Sequence, residues 1–249
     1  MPIALTHGLR IAAAAALLAT LGCGAGGQAN GPDAETVALA EQLGMTPEEL
    51  QAKKAMLVYG GLTAEEVNKT LMMGGDPASL FKDDAPANRP APTSIDQLTF
   101  ASGDGETEVK LAGLLGKRNV VLVFTRGYYN GSICPFCTTQ TAQLAANKEA
   151  FEERDAEVLV VFPGSGDQLP TFVDAVNSYL ETEGELAWPV LLDKDLSAVE
   201  LLDIAADLAV PSTFIINKEG EVVYSYVGAS RTDRPSAAAI LAQLDALRS

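Results

Sequence analysis

Apolar and polar positions change their rhythm twice along the chain. Between Asp33 and Phe81, Leu39, Leu43, Leu50, Met56, Leu57, Val67, Leu71 and Met72 recur at helical spacing. Two stretches open alike, Thr46-Pro47-Glu48-Glu49 and Thr63-Ala64-Glu65-Glu66, 17 residues apart. In each, Thr suits an N-cap and the Glu three residues on closes a capping box, with Pro47 suited to a first helical position. Asp33–Leu43 and Pro77–Phe81 add further helical turns, so 33–81 is expected to be a small helical segment. It carries no evident chemistry and reads as a spacer, or alternatively as a docking or dimerisation module. Residues 82–95 lose the periodicity and are rich in Pro and charge, as a linker would be.

From Leu98 the pattern becomes that of strands alternating with helices. Leu98–Ala101 and Glu108–Leu111 flank Gly103-Asp104-Gly105 as a hairpin, and Leu111–Leu115 adds a helical turn. Val120–Phe124 (VVLVF) is a continuous apolar run, expected of a strand buried on both faces. A helix follows, with Cys137, Thr141, Leu144, Ala145 and Phe151 on one side. Next come a strand at Glu157–Phe162, a helix at Leu169–Leu180, a short strand at Val190–Leu192 and a helix at Leu196–Ala206. Val210–Ile216 and Glu221–Val227 form a closing hairpin, and Ser236–Leu247 a last helix. This order predicts an α/β fold, a mixed sheet flanked by helices over 96–249, preceded by the small helical segment.

Composition and charge narrow the function. The 249 residues are 47% hydrophobic, and 33 acidic against 17 basic residues give a net charge of −16, which argues against nucleic acid or anionic lipid surfaces as partners. Residues 1–22 read as a signal peptide. The uncharged run Ile11–Leu21 is too short to span a bilayer and ends before Cys23 and a Gly-rich stretch. That ending resembles a bacterial lipoprotein signal, in which Cys23 becomes the lipidated first residue of a tether, 23–32. Membrane attachment is then expected through the lipid anchor only, on the periplasmic side or in the cell envelope. The alternative is a soluble chain after ordinary signal cleavage. The only histidine is His7, inside the leader. Its position removes Ser-His-Asp and Cys-His catalysis and His-ligated metals from the mature chain, and the remaining cysteine pair is too small for a structural zinc site. No metal and no cofactor are expected.

The chemistry concentrates in Asn119–Leu144. There the apolar strand runs through an aromatic, Gly-bearing loop into Cys134-Pro135-Phe136-Cys137 at the start of a helical pattern. One helical turn holds two thiols within disulfide reach, and the helix N-terminus favours a thiolate on the first. Cys134 is therefore expected to be the nucleophile. Cys137, one turn on and more buried, is expected to keep its proton and resolve the mixed disulfide or sulfenic acid. An inert staple is the competing reading, but a four-residue loop constrains little unfolded-state entropy.

Residues 96–249 resemble the thioredoxin superfamily, in the branch shared by peroxiredoxin-like (redoxin, AhpC/TSA) and TlpA/ResA-type proteins. Arg126-Gly127 ahead of Cys134-Pro135-Phe136-Cys137 is similar to the R-G-x-x-C-P-F-C stretch of peroxiredoxin-like sequences, with a longer loop. Trp188–Asp193 resembles their F-P-L-L-x-D strand. Val210-Pro211-Ser212-Thr213-Phe214 resembles the thioredoxin cis-proline strand. The resemblance implies a cis Pro211 facing the thiols and an open Val210 backbone for pairing with a bound peptide. With Tyr129 and Phe136, Val210 is the candidate substrate-binding set.

Two departures weigh between the branches. Peroxiredoxins carry P-x-x-x-[ST]-x-x-C and an Arg from a later strand. Counted from Cys134, those places hold Gly127 and Gly131, and Pro211 stands near the expected Arg; Ser132, Arg126 and Arg231 read as loop residues rather than substitutes. Thioredoxins carry a buried Asp on the strand before the motif, and Val120–Phe124 has no carboxylate. The expectation is an exported thiol-disulfide oxidoreductase acting on a protein dithiol or disulfide, served by an upstream thiol redox partner. A thiol peroxidase with a peroxide substrate is the alternative, and a non-catalytic binding module a further one.

Overall fold

The computed structural model describes residues 33–59, 63–72, 77–129, 131–180 and 186–248, without the side chains of residues 56, 59, 64, 68, 71, 72, 129 and 132. The leader and Cys23 lie outside them. The chain opens with α1 (Ala34–Leu43), α2 (Pro47–Tyr59) and α3 (Ala64–Met72). Both capping boxes form. The Thr46 N–H donates to the Glu49 carboxylate (2.8 Å) while the Glu49 N–H donates back to the Thr46 hydroxyl (3.2 Å), and Thr63 and Glu66 repeat the exchange at 2.8 and 3.3 Å.

A hairpin of β1 (Thr99–Ala101) and β2 (Glu108–Lys110) leads to β3 (Asn119–Phe124), a two-stranded ribbon of β4 (Tyr128–Tyr129) and β5 (Ser132–Ile133), and the helices α4 (Pro135–Ala146) and α5 (Lys148–Glu152). Next are β6 (Ala156–Pro163), α6 (Leu169–Leu180), β7 (Val190–Asp193), α7 (Ser197–Leu201), β8 (Ser212–Ile216), β9 (Val222–Val227) and α8 (Ala237–Ala246). Seven strands make one mixed sheet in the order β2-β1-β7-β6-β3-β8-β9, with β3 parallel to β6 and antiparallel to β8.

The apolar run in β3 works as two interleaved faces, because successive side chains of a strand point to opposite sides. Val121 and Val123 enter one core with Phe136, Phe172 and Ile240 of the covering helices, whereas Val120, Leu122 and Phe124 enter the other with Val199 and Phe214. The expected helix at Leu196–Ala206 is shorter, ending at Leu201. Asp203 adopts φ 51°, and the Asp203 and Ile204 N–H groups return to the Glu200 and Val199 carbonyls, closing the helix end. Asp193, at the end of β7, accepts from the Ala198 and Val199 N–H groups and so starts that helix.

Two further departures concern the first ninety residues. The helical segment is no detached spacer: Ala40, Leu50, Leu57, Val67 and Phe81 belong to the same core as Phe136 and Cys137. The stretch expected as a linker is strapped along β9. Lys82 bridges Pro235, the Asn88 N–H donates to the Ser225 carbonyl (3.1 Å), the Asn88 side chain exchanges two bonds with the Val227 backbone, and the Tyr224 hydroxyl donates to the Ala85 carbonyl (2.8 Å). A sheet edge leaves backbone groups unpaired, and an irregular polar strap satisfies them without any periodicity. Such a strap is indistinguishable from a linker by composition.

Beyond β9 the chain turns at Gly228, where a Cβ would collide with the Asp233 carbonyl oxygen and crowd those of Pro211 and Ser230. Gly228→Ala is expected to lower unfolding stability by about 1–3 kcal/mol through overpacking, measured as a reduced urea midpoint at unchanged m-value.

Candidate active site

The thiols are delivered by the strand, loop and helix that the apolar pattern marks out. After β3, the Thr125 N–H and hydroxyl both donate to the Val161 carbonyl (2.9 and 3.0 Å), carrying the backbone past the sheet end. Gly127 turns it at φ 79°, where a Cβ would press on the Pro163 carbonyl, so only glycine suits the place. The ribbon pairs Tyr128 with Ile133 and leads directly into Cys134, the N-cap of α4, with Pro135 at the first helical position.

Both thiols are free and buried, Cys134 at 4% and Cys137 at 1% exposure. The helix N-terminus does little for the Cys134 sulfur: the Cys137 sulfur and burial outweigh the Cys137 N–H, which lowers it least of the groups that act on it. Pro135 has no N–H, and the Cys137 and Thr138 N–H groups donate to the Cys134 carbonyl (3.0 and 3.2 Å). The donors converge instead on Cys137. The Arg126 N–H reaches its sulfur at 3.2 Å, the Cys134 thiol hydrogen-bonds it, and Arg234 approaches with Nη1 at 3.8 Å and Nη2 at 3.7 Å.

Arg234 lies in the loop between β9 and α8 and is 1% exposed. Its Nε and Nη2 donate to the Arg231 carbonyl (3.1 and 2.7 Å), and its Nη1 to the Gln140 side-chain oxygen (2.9 Å) and the Phe136 carbonyl (3.3 Å). Gln140 donates back to the Pro235 carbonyl (3.2 Å), tying the loop to α4. Among the described residues, no carboxylate forms an ion pair with Arg234; the carboxylate next to it in sequence, Asp233, is held by Lys82 at 2.7 Å. A buried guanidinium without a counter-ion is costly, and a thiolate at Cys137 supplies one.

Burial alone would push the Cys137 thiol up. The bond from Cys134, the Arg234 charge and the Arg126 N–H outweigh it and bring Cys137 down to about 6. Its bond to Cys137, then burial, push Cys134 well above the ordinary thiol range. The lowered thiol is thus Cys137 and the raised one Cys134, the opposite of the expected order.

The substrate-binding set is not assembled as expected. Phe136 is fully buried in the core rather than lining a cleft. The Tyr129 side chain lies outside the described residues. Among the described residues no peptide bond is cis, so Pro211 is trans, the isomer that X–Pro bonds generally prefer. The Val210 N–H donates to the Ile204 carbonyl (2.8 Å) and its carbonyl accepts from the Ser212 hydroxyl (2.9 Å), which leaves no open backbone for a peptide. Of the arginines weighed from sequence, Arg126 contributes its N–H while its guanidinium pairs with Asp207 (2.8 Å), and Arg231 contributes its carbonyl. Arg234, 97 residues from Cys137, had no signal beyond its nearness to Arg231.

The AhpC/TSA family pattern matches residues 89–225, more than half of the chain. A protein of Buchnera aphidicola subsp. Schizaphis graminum that carries the name peroxiredoxin bcp is 35% identical over 69 residues, 28% of this chain; the match spans only 40% of that relative's length. Among solved structures, a cysteine-to-serine mutant of peroxiredoxin 6 from Arenicola marina is similar with TM-score 0.56 and 16% identity, covering 65% of this chain and 74% of that one. BcpB of Mycobacterium tuberculosis is similar with TM-score 0.51 and 19% identity, covering 65% and 100%. These likenesses are of fold, a thioredoxin-like mixed sheet flanked by helices.

Because Cys137 is depressed, the folded chain holds fewer protons than the unfolded one between about pH 6 and the ordinary thiol value of about 8.5. Stability should rise with pH across that window, its Cys137 contribution present in full above it and lost as pH falls through about 6. Cys134, shifted the other way, would begin to oppose folding only above about pH 8.5. Since His7 is the only histidine, no other imidazole obscures the window. Urea unfolding between pH 5.5 and 8.5 should show the rise in the wild type and lose it in Cys137→Ser.

Proposed function

The chain belongs to the AhpC/TSA family, and on that premise we propose that it is a thiol peroxidase in which Cys137 reacts with a hydroperoxide and Cys134 resolves the product. The observation that carries this reading is the buried Arg234 guanidinium facing the Cys137 sulfur with no carboxylate to neutralise it. It supports a reacting thiolate at Cys137, where the sequence pattern favoured Cys134. Counted from Cys137, the hydroxyl place of the peroxiredoxin motif holds Cys134 itself, whose thiol donates to the reacting sulfur. Burial of both thiols favours a small substrate over the protein disulfide expected from sequence.

In the first step the Cys137 thiolate attacks one peroxide oxygen; the S–O bond forms and the O–O bond breaks. The departing oxygen takes the Cys134 proton and leaves as water or an alcohol. The Arg234 and Arg126 donors hold the thiolate and the polarised oxygen in place. The new Cys134 thiolate then attacks the Cys137 sulfenic acid, forming the disulfide and expelling hydroxide. An external thiol attacks Cys134, with Cys137 as the low-pKa leaving group, and a second external thiol then attacks the external sulfur of the mixed disulfide, which releases the oxidised reductant as a disulfide and restores both thiols. Export belongs to the same proposal: the Ile11–Leu21 run and Cys23 support an enzyme anchored in the envelope.

Stopped-flow oxidation with one equivalent of hydrogen peroxide, followed by a sulfenic-acid trap and mass spectrometry, tests the assignment. Cys134→Ser should accumulate sulfenic acid on Cys137 without turning over, and Cys137→Ser should show none. Trapping on Cys134 in the Cys137→Ser chain would sink the assignment and make Cys134 the peroxide-reacting thiol, whereas no sulfenic acid on either cysteine would return the site to dithiol exchange. Arg234→Gln should slow the oxidation step by roughly 10²-fold, the usual cost of one preorganised donor.

A further inference from the structure

Besides Gln140 and Phe136 in α4, groups outside the family-matched stretch hold Arg234. Residues 89–225 hold both cysteines but neither Arg234 nor the groups packed behind it. The Phe81 ring, itself buried, has its centroid 5.7 Å from the Arg234 guanidinium carbon. The next residue, Lys82, donates its N–H to the Arg234 carbonyl (2.9 Å) and accepts the Ser236 N–H on its own carbonyl (2.9 Å), so the two strands of chain are locked side by side. Its ammonium reaches Asp233 (2.7 Å) and the Tyr226 hydroxyl (2.9 Å). One turn further back, the Thr232 hydroxyl donates to Glu66 (3.3 Å), the capping-box carboxylate of α3.

We propose that Phe81 and Lys82, at the end of the helical segment, and Glu66 of α3 are part of the active site, packing behind the loop 228–235 to hold the Arg234 guanidinium against the Cys137 sulfur, with Phe81 and Lys82 as positioning residues. The proposal rests on the reading that Arg234 sets the state of Cys137. Two physical effects carry it. Arg has several rotatable bonds and its approach to the sulfur is long, so the aromatic face that fixes the guanidinium on one side decides how much of its charge the sulfur feels. Asp233 adjoins Arg234 in sequence and would neutralise it if released; Lys82, Tyr226 and the Ala229 N–H hold that carboxylate instead. Glu66 is engaged by Thr63 and Thr232, and Asp83, beside Lys82, by the Ser236 hydroxyl. The counter-ion role is thereby left to the Cys137 thiolate.

The test uses the full chain with Cys23→Ser and Cys134→Ser, so that Cys137 is the sole thiol, and follows thiolate absorbance at about 240 nm against pH. Phe81→Leu keeps apolar bulk but loses the ring; it should raise the Cys137 midpoint by about one pH unit, a tenfold loss of thiolate below the midpoint. Phe81→Tyr, which retains the ring, should leave it in place, and Lys82→Met should raise it in the same direction. Arg234→Gln, measured alongside, must raise it most. If Arg234→Gln raises the midpoint while Phe81→Leu and Lys82→Met both leave it unchanged, the positioning role is overturned and the reading of Arg234 stands. If Arg234→Gln itself has no effect, that reading fails and takes the proposal with it. Should Phe81→Leu not fold, Lys82→Met decides alone, since the Lys82 side chain is 51% exposed and its replacement spares the core.

Discussion

A guanidinium sealed from water needs a dense ring of acceptors, and much of this chain's irregular structure serves that need at Arg234. Two carbonyls, one amide oxygen and a sulfur surround it. Carbonyl dipoles satisfy its N–H groups but leave its net charge, which costs several kcal/mol to bury unless an anion is near. The sulfur is the group able to become that anion. A cation placed to stabilise the fold only when Cys137 is ionised therefore ties the chemistry of the thiol to the packing of the loop that carries the arginine.

The regular part of the fold supplies the other half of this contact. The two-faced β3 strand fixes the end of the sheet, Thr125 and Gly127 steer the chain over it, and α4 begins where the ribbon β4–β5 delivers it. Cys137 sits one helical turn inside, on the face that meets the core, and Gln140 one turn further on reaches back to both Arg234 and Pro235. Helix periodicity thus places the thiol and the amide that orients its arginine on the same stripe.

Where the structure departs from the pattern along the chain, backbone groups have found partners that the pattern does not show. At the N-terminus of α4 the Cys134 carbonyl takes the Cys137 N–H and Pro135 has none to give, so the helix end lowers the Cys134 sulfur only slightly. Val210 was expected to present an open backbone, yet Ile204 and Ser212 occupy it once the chain turns back after α7. Residues 82–95 were read as a linker because satisfying a sheet edge needs backbone groups and no apolar period.

What the sequence determined by itself is whatever depends on near neighbours. It placed the capping boxes at Thr46 and Thr63, the two-faced strand Val120–Phe124, the alternation of strands and helices, and the Cys134–Cys137 pair at a strand-to-helix turn. These follow from side-chain periods and from bonds between residues three or four apart. Only the tertiary structure brings Arg234, 97 residues from Cys137, to that sulfur, and sets Phe81 and Lys82, from the other end of the chain, against the arginine. Electrostatic energy is set by distance and burial in space, and neither is written in the spacing of residues along the chain.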